Sequence, residues 1–485
     1  MKINGSLTLS TLVITVLTLC SCGLQKTPIT KQETNDISDT KVLSAEVENT
    51  PKSLTIWWEQ GYTPGANEAI RSLVQAWEKK SGIKTTLELR PGRMNAQAKN
   101  AIERGNPPNI VGPIYIPLID RTWQSQLTDV ADTIALLQDQ FSPIALSTVR
   151  SRDPGTDSHT FYGIPIGFST YYIHYWQPYL DRLGLQQSDI PEDWHEFWQF
   201  WEDVGDRIPQ TGNKKLNNFC FALSREASDS FAVWLFFLQG HNVEIVDETG
   251  NFILDLPANR QGLINTLSQL SRLYQKGLIP ADAVGWKAPE NNTRFLNHEC
   301  LLTINVTLSI PLTQKLPLTP YTQKELHRYE EEIVTLAKLP KTVNGTPSKV
   351  AVSSFMVIIP SNASNREAAQ QFLTYLFQPE NLQQWTEQVS GRYFPVMPEI
   401  LQTPFWQKTQ QDSHLFAAQT IMQNNAYPSD PIYGEIREAQ ILIDALMATI
   451  EGTLSTEDAA DRAISQIEKI VASDDKLNPV TPEPN

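Results

Sequence analysis

The stretch Trp57-Trp58-Glu59-Gln60-Gly61-Tyr62 crowds two indoles, a carboxylate and a phenol into six residues. Aromatic faces pack against apolar C–H surfaces, and a carboxylate accepts charge-assisted hydrogen bonds from hydroxyls, so this set suits recognition of a polyhydroxylated solute. Glu59 could accept from two such hydroxyls. Adjacent strand residues point to opposite faces, so only one of Trp57 and Trp58 can face a ligand. Further on, SGRYFPV holds Arg392, whose planar fork can grip two neighbouring hydroxyls, with Tyr393 beside it. Trp286, in AVGWKAP, places an indole in a loop, where exposure would need explaining. No nucleophile elbow, zinc motif, catalytic-triad spacing or CxxC pair is present, so neither a metal nor a cofactor is expected. A glycoside hydrolase stays open on composition alone, because it needs only two carboxylates across a cleft and the chain has 54 Asp and Glu.

These groups must be held by regular elements. In SLTIWW, Leu54, Ile56 and Trp58 alternate as a strand does. PGANEAIRSLVQAWEKKSG follows, with Ile70, Leu73, Val74 and Trp77 on one helical face and Gly82 suited to end the helix. IKTTLEL reads as a second strand, Arg93 to Arg104 as a short helix, and NIVGPIYI as a third strand. Strand, helix, strand, helix, strand predicts a parallel sheet covered on both faces, with ligands beyond the carboxyl ends of its strands, at Trp57 to Tyr62 and Gly112 to Tyr115. In PEDWHEFWQFWEDV, Asp193 is a natural N-cap with Glu196 three residues on, and Trp194, Phe197, Trp198 and Trp201 fall at helical spacing, which predicts packing and not ligand contact. Cys220 and Cys300 sit in strand-like FCFAL and ECLLTI. An oxidising compartment permits a bridge between them, although two buried free thiols are the favoured reading.

The ends of the chain say where it works. Lys2 and the thirteen-residue run LTLSTLVITVLTL form an export signal, too short to span a bilayer as a helix. Leu19, Ser21 and Cys22 resemble a bacterial lipobox, which implies a signal peptide over 1–21 and a lipid on Cys22. Residues 22–52 contain no aromatic side chain and read as a flexible leash, and 473–485 as a polar tail. The intervening stretch, about 420 residues, is too long for one core and predicts two lobes. A net charge of −15 and a pI near 5.0 argue against nucleic acid as a partner.

From Ser53 to about Val471 the motifs resemble, in order and spacing, those of the maltose-binding type of bacterial extracellular solute-binding proteins, family 1. LTIWW, AIRSLVQAWEKKSGIKTTLEL and AIERGNPPNIV are similar to its N-terminal lobe, FYGIPIGFSTYYIHY to its crossing segment, and PEDWHEFWQFWEDV and WLFFLQG to two of its helices. RFLNHECLLTIN, AVSSFMVIIPSNASNREAAQQFLTYLFQPENLQQW and SGRYFPVMPE complete the series, with Asn297 standing where glycine is usual. The resemblance implies an α/β, two-lobed periplasmic-binding-protein-like fold of type II, each lobe a sheet flanked by helices, with the ligand cleft at the hinge. It divides the chain into a first lobe at 53–163, a second at 164–310, a return through 311–360, and shared helices over 361–472. It also implies no enzymatic activity. The expected function is a substrate-binding lipoprotein of an ABC importer, monomeric, exported and facing the periplasm or cell exterior. It would bind a sugar or sugar-like solute, an oligosaccharide, disaccharide or glycosyl-polyol, and pass it to the permease subunits; an extracellular glycoside-acting hydrolase and a receptor serving a sensor are the alternatives.

Residue by residue, the resemblance adds Tyr115, where relatives carry aspartate, and Thr170 and Tyr171 after the crossing. It adds Arg225, Asp229 and Ser230 before the buried helix, Asn305 in the TIN strand, and Ser353 and Ser354 near a usual glycine pair. A tryptophan that stacks on sugar in relatives is absent after Asn305, which implies either that Trp286 takes that role or that the ligand is smaller or more polar.

Overall fold

The computed structural model describes residues 53–61, 63–91, 94–115, 125–152, 159–209, 216–247, 251–315, 322–424, 426–428 and 432–476. The signal segment, Cys22, the leash and Tyr62 lie outside the described residues. In chain order the strands are β1 (Ser53–Glu59), β2 (Lys84–Arg90), β3 (Ile110–Ile114), β4 (Arg150–Arg152), β5 (His159–Phe161), β6 (Ile164–Ser169), β7 (Tyr171–Trp176), β8 (Asn217–Phe219), β9 (Cys300–Val306), β10 (Ile333–Thr335), β11 (Val350–Ile358) and β12 (Ala426–Pro428).

The first sheet has the order β12-β11-β3-β1-β2, with β6 also paired to β11. β1 runs parallel to both β2 and β3, so Ile56 lies opposite Leu87 on one side and Ile110 on the other. The alternation in SLTIWW becomes the two faces of the strand: Leu54, Ile56 and Trp58 are buried, while Trp57 and Glu59 are half-buried. Helix α1 (Pro64–Ser81) packs Ile70, Leu73, Val74 and Trp77 into the core with Ile56. Its N-terminus is capped by Thr63, and Gly82, at φ 71°, takes the left-handed turn that ends it. Helix α2 (Met94–Glu103) joins a second apolar cluster, where Met94, Ala98 and Ile102 meet Val111, Ile114 and Met356. β3 is buried on both faces, as a central strand covered by helices must be, while β2 at the edge stays partly exposed and β11 runs antiparallel to β3 and β6.

The second sheet has the order β10-β7-β9-β8. The chain enters it at one residue, because β6 belongs to the first sheet and β7 to the second. Thr170, between them, donates from Oγ1 to the carbonyl of Ala351 at 2.8 Å and accepts at its own carbonyl from the Thr307 N–H at 2.9 Å. This crossing lies one strand beyond the expected lobe boundary at 163/164. The chain returns between Thr335 and Val350, and after β12 the helices Ile441–Ile450 and Thr456–Lys476 pack on the helix Pro257–Gln275.

The second half owes its cohesion to aromatic rings. Helix α3 (Trp194–Arg207) starts where Asp193 accepts from the backbone N–H groups of His195 and Glu196 at 2.9 and 3.2 Å. Its spacing buries Trp194, Phe197, Trp198 and Trp201, with Trp198 stacked on Phe237 of helix α4 (Ser228–Gly240) at 4.8 Å. Gly240 is required there because a Cβ would lie 2.0 Å from the Trp194 indole. Cys220 and Cys300 form a disulfide, which corrects the expectation of free thiols. The parallel pairing of β8 with β9, Phe219 opposite Leu302, brings their Cα atoms to 5.5 Å, and local sequence carries no trace of that pairing. No helix among the described residues is long and apolar enough to cross a membrane.

Candidate ligand-binding cleft

β1 ends at Glu59, and its carboxylate is met from 333 residues away. Arg392 donates from Nη2 to one oxygen at 2.8 Å, and the Tyr393 hydroxyl donates to the other at 2.8 Å. Arg392 also donates from Nε to the Tyr393 oxygen at 2.9 Å, closing a three-membered network. Burial holds the Tyr393 phenol well above its ordinary pKa; Arg392 opposes that rise and the nearby Glu59 charge adds to it, so the phenol stays a donor. A carboxylate has about four lone-pair sites, so each Glu59 oxygen keeps room for one further hydroxyl. The recess around the network is about 50 Å³, bordered by Trp58, Trp385 and Pro113 from the first-sheet side and by Ser309 and Leu312 from beyond β9. Trp385 stacks on Tyr393 at 5.5 Å and meets Trp58 edge-on at 5.9 Å. Of the paired tryptophans, Trp58 thus forms the recess wall, whereas Trp57 lies beneath the Arg90 guanidinium at 3.5 Å.

The next strands extend this surface. On β11, Ser353 and Phe355 share one face by the two-residue period, and both are half-buried. Phe355 packs against Tyr393 at 4.6 Å and against Tyr115 at 5.6 Å. The Tyr115 and Ser353 hydroxyls are 3.1 Å apart. Ser354 points to the other face, where its hydroxyl pairs with that of Thr148 at 2.6 Å.

Across the cleft, Asn305 at the end of β9 donates to Asp229 at 2.8 Å, and Asn291 donates to the same carboxylate oxygen at 2.6 Å. Ser309 donates to the Asn305 carbonyl oxygen at 3.0 Å and accepts from Asn292 at 3.0 Å. Since Ser309 also lines the Glu59 recess, the polar cluster backs onto it. Thr307, within this turn, has φ 65°, a left-handed conformation that a β-branched residue adopts only under tertiary constraint. Ser230 accepts from the Ser224 N–H at 3.0 Å, and Arg225 is ion-paired with Asp444, Nε to oxygen 2.8 Å. Tyr171 is fully buried against Phe236. Trp286 is buried too, with Arg294 over its ring at 5.6 Å, so the exposed indole expected from its loop is instead a packed one.

A profile of bacterial extracellular solute-binding proteins matches residues 72–417, more than two thirds of the chain. This chain belongs to that family. Solved structures agree on its two-lobed fold. A solute-binding protein of Thermotoga lettingae with bound α-D-tagatose shares 18% identity at a TM-score of 0.65, covering 87% of this chain and 100% of the other. MalE3 of T. maritima with maltose shares 14% at 0.65, covering 86% and 99%, and the MalE maltodextrin-binding domain of Bdellovibrio bacteriovorus with maltotriose shares 15% at 0.63, covering 87% and 100%. A comparison with curated protein sequences finds no match.

In this solute-binding protein the structure brings Glu59, Arg392 and Tyr393 into one network, pairs Tyr115 with Ser353, and joins Asp229 to Asn305. It does not bring Ser354, Tyr171 or Trp286 to an open surface. Several cleft residues escaped sequence reasoning: Phe355, Trp385, Ser309, Asn292, Phe231 and Arg437. For Phe355 a signal existed, since VSSFMV alternates and places it beside Ser353. Arg437 sits in an ordinary amphipathic helix, Ile432–Glu438, and nothing local distinguishes it.

Proposed function

We propose that this protein is the carbohydrate receptor of an ABC importer, binding a sugar, disaccharide or glycosyl-polyol in the cleft and delivering it to the permease. Its relatives in the solved structures hold tagatose, maltose and maltotriose. The observation that carries the reading is the Glu59–Arg392–Tyr393 network at the carboxyl end of β1. It offers acceptor sites on a fixed carboxylate beside a run of aromatic rings, the combination a sugar's hydroxyl rim and C–H face require. The same carboxylate is engaged by two donors, which suits holding a solute better than attacking one. Export through the N-terminal signal, a lipid on Cys22, the leash to residue 52 and a monomeric receptor complete the picture. A recess of about 50 Å³ is smaller than the several hundred Å³ of a sugar-sized site, so ligand entry requires the lobes to part around Thr170 and close again, driven by preference for the closed form.

The test is thermal unfolding of the purified protein against neutral and acidic mono-, di- and trisaccharides, glycosyl-polyols, amino acids and polyamines. A cognate sugar at about 100 times its dissociation constant stabilises by about 2.7 kcal/mol, a rise of a few degrees for a domain of this size. Glu59→Ala abolishes that rise. A panel in which no sugar or polyol shifts the transition rejects the reading, and recovery of cleaved sugar assigns the protein to the hydrolases.

A further inference from the structure

The largest recess described in this cleft does not contain Glu59. It lies where the amino end of α4 meets the segment from Ile436 to Ile443, measures about 380 Å³, and is lined by Arg225, Ser230, Phe231, Trp234 and Arg437 among others. That volume falls within the range of small-molecule sites. Three arginines reach the two cleft recesses, and two of them are already spent on carboxylates: Arg392 on Glu59 at 2.8 Å and Arg225 on Asp444 at 2.8 Å. Arg437 is the third. It is half-buried, its guanidinium held between the rings of Tyr115 at 5.8 Å and Phe231 at 5.9 Å, and among the described residues its side chain makes no hydrogen bond or ion pair.

A guanidinium clamped between two rings is pre-oriented, and its five N–H donors are unspent. Removing such a cation from much of its water costs free energy that only an opposing charge or several acceptors recover. Of the nearby acids, Asp444 holds Arg225 and Glu226 is 3.6 Å from Lys287, while Glu438 is exposed to solvent and makes no ion pair with Arg437. Ring contacts also tie this recess to the other one, from Arg437 to Tyr115, from Tyr115 to Phe355 at 5.6 Å, and from Phe355 to Tyr393 at 4.6 Å. Tyr115 and Phe231 belong to opposite walls, so Arg437 reads the cleft only when both are near it.

We propose that Arg437 is the anion-reading residue of this cleft and that the solute is an acidic glycoside, a sugar bearing a carboxylate that the Arg437 fork grips bidentately while the sugar hydroxyls meet the Glu59 side. The proposal rests on the carbohydrate reading above and narrows it to one substrate class. With a net charge of −15 on the whole chain, long-range attraction does not favour an anion, so this single local cation must provide the selectivity.

The test is calorimetric titration at low ionic strength with matched pairs, galactobiose against digalacturonate and maltose against maltobionate, on the wild type, Arg437→Gln and Arg437→Lys. The acidic member of at least one pair is expected to bind ten-fold or more tightly than its neutral partner. Arg437→Gln brings the acidic affinity down to the neutral level, and Arg437→Lys, which keeps the charge but not the fork, restores only part of it. Equal affinities within each pair overturn the proposal, as does an Arg437→Gln variant that weakens both members by the same factor. If no sugar of either kind binds, the carbohydrate reading falls, and titration with sodium sulfate decides the anion site separately: saturable binding lost in Arg437→Gln keeps it, and no such binding rejects it.

Discussion

Two arginines at two ends of one cleft meet opposite fates. Arg392 is enclosed, 14% exposed in its side chain, and held through Nη2 by Glu59 and through Nε by Tyr393 in a recess of about 50 Å³. Arg437 borders a recess of about 380 Å³, where the rings of Tyr115 and Phe231 flank its guanidinium and no ion pair forms among the described residues. The first arrangement is built for stability in the absence of ligand, since a buried charge without its partner is costly. The second leaves donors unspent, which is what a binding group must do. In one cleft, then, charge pairing fixes Arg392 in the wall and leaves only the remaining lone pairs of Glu59 for the solute, whereas an arginine flanked by rings keeps its own donors for it.

The comparison can be broken most directly at Glu59. Glu59→Ala strands the Arg392 guanidinium and is expected to destabilise by about 3 kcal/mol in urea unfolding, whereas the double variant Glu59→Leu with Arg392→Met recovers most of the loss. A Glu59→Ala protein as stable as wild type shows that the pair is not structural. Gly391 comes next. It has φ 83°, and a Cβ there would lie 2.7 Å from Leu312, so Gly391→Ala is expected to cost about 1–3 kcal/mol and to distort the first recess while leaving the Arg437 side unchanged in a crystal structure.

Acid sharpens the same contrast, because the helix Ser309–Lys315 that borders the first recess is tied to buried histidines. Lys315 binds Asp412 at 2.7 Å, Asp412 accepts from Tyr329, and the Tyr329 carbonyl lies 2.9 Å from His414 Nε2. His414 and His174 share the Thr335 hydroxyl at 2.6 and 3.0 Å. Burial lowers both, His174 to about 3 with the charge of His414 lowering it further, while at His414 the Tyr329 carbonyl and Asp412 oppose the drop. A histidine whose pKa is lower in the folded state leaves the unfolded chain holding more protons, so stability is complete above about pH 6.5 and falls as pH drops toward the folded value. Below the unfolded pKa the expected slope is about 1.4 kcal/mol per unit for His174, whose folded value is about 3, with His414 acting in the same direction; it is read from urea unfolding, and His174→Gln flattens it. The smallest effect belongs to Arg437: Arg437→Gln is expected to change stability by less than about 0.5 kcal/mol, since it removes ring contacts and no ion pair. A larger loss makes Arg437 a structural group and contradicts its proposed role.

How much of this was legible in the amino-acid chain depends on range. β1, α1 and the Asp193 cap were readable because alternation, helical spacing and capping act over a few residues, and Trp194, Phe197, Trp198 and Trp201 were placed in the core on the same ground. Glu59, Arg392 and Tyr393 could be nominated separately, by chemistry and by likeness, but not joined. Trp286 looked like an exposed platform because a loop position says nothing of what covers it.

The alternation of strands and helices, the aromatic stripe of α3, and the supply of carboxylate, guanidinium and ring groups after strand ends are written in short stretches of the chain, since they follow from local steric and apolar patterns. It took the packed molecule to bring Cys220 to Cys300, to carry Arg392 back 333 residues to Glu59, and to leave Arg437 without an ion pair among the described residues. Such pairings depend on how two sheets and their connecting helices pack, and packing is a property of the whole chain that no short stretch of it contains.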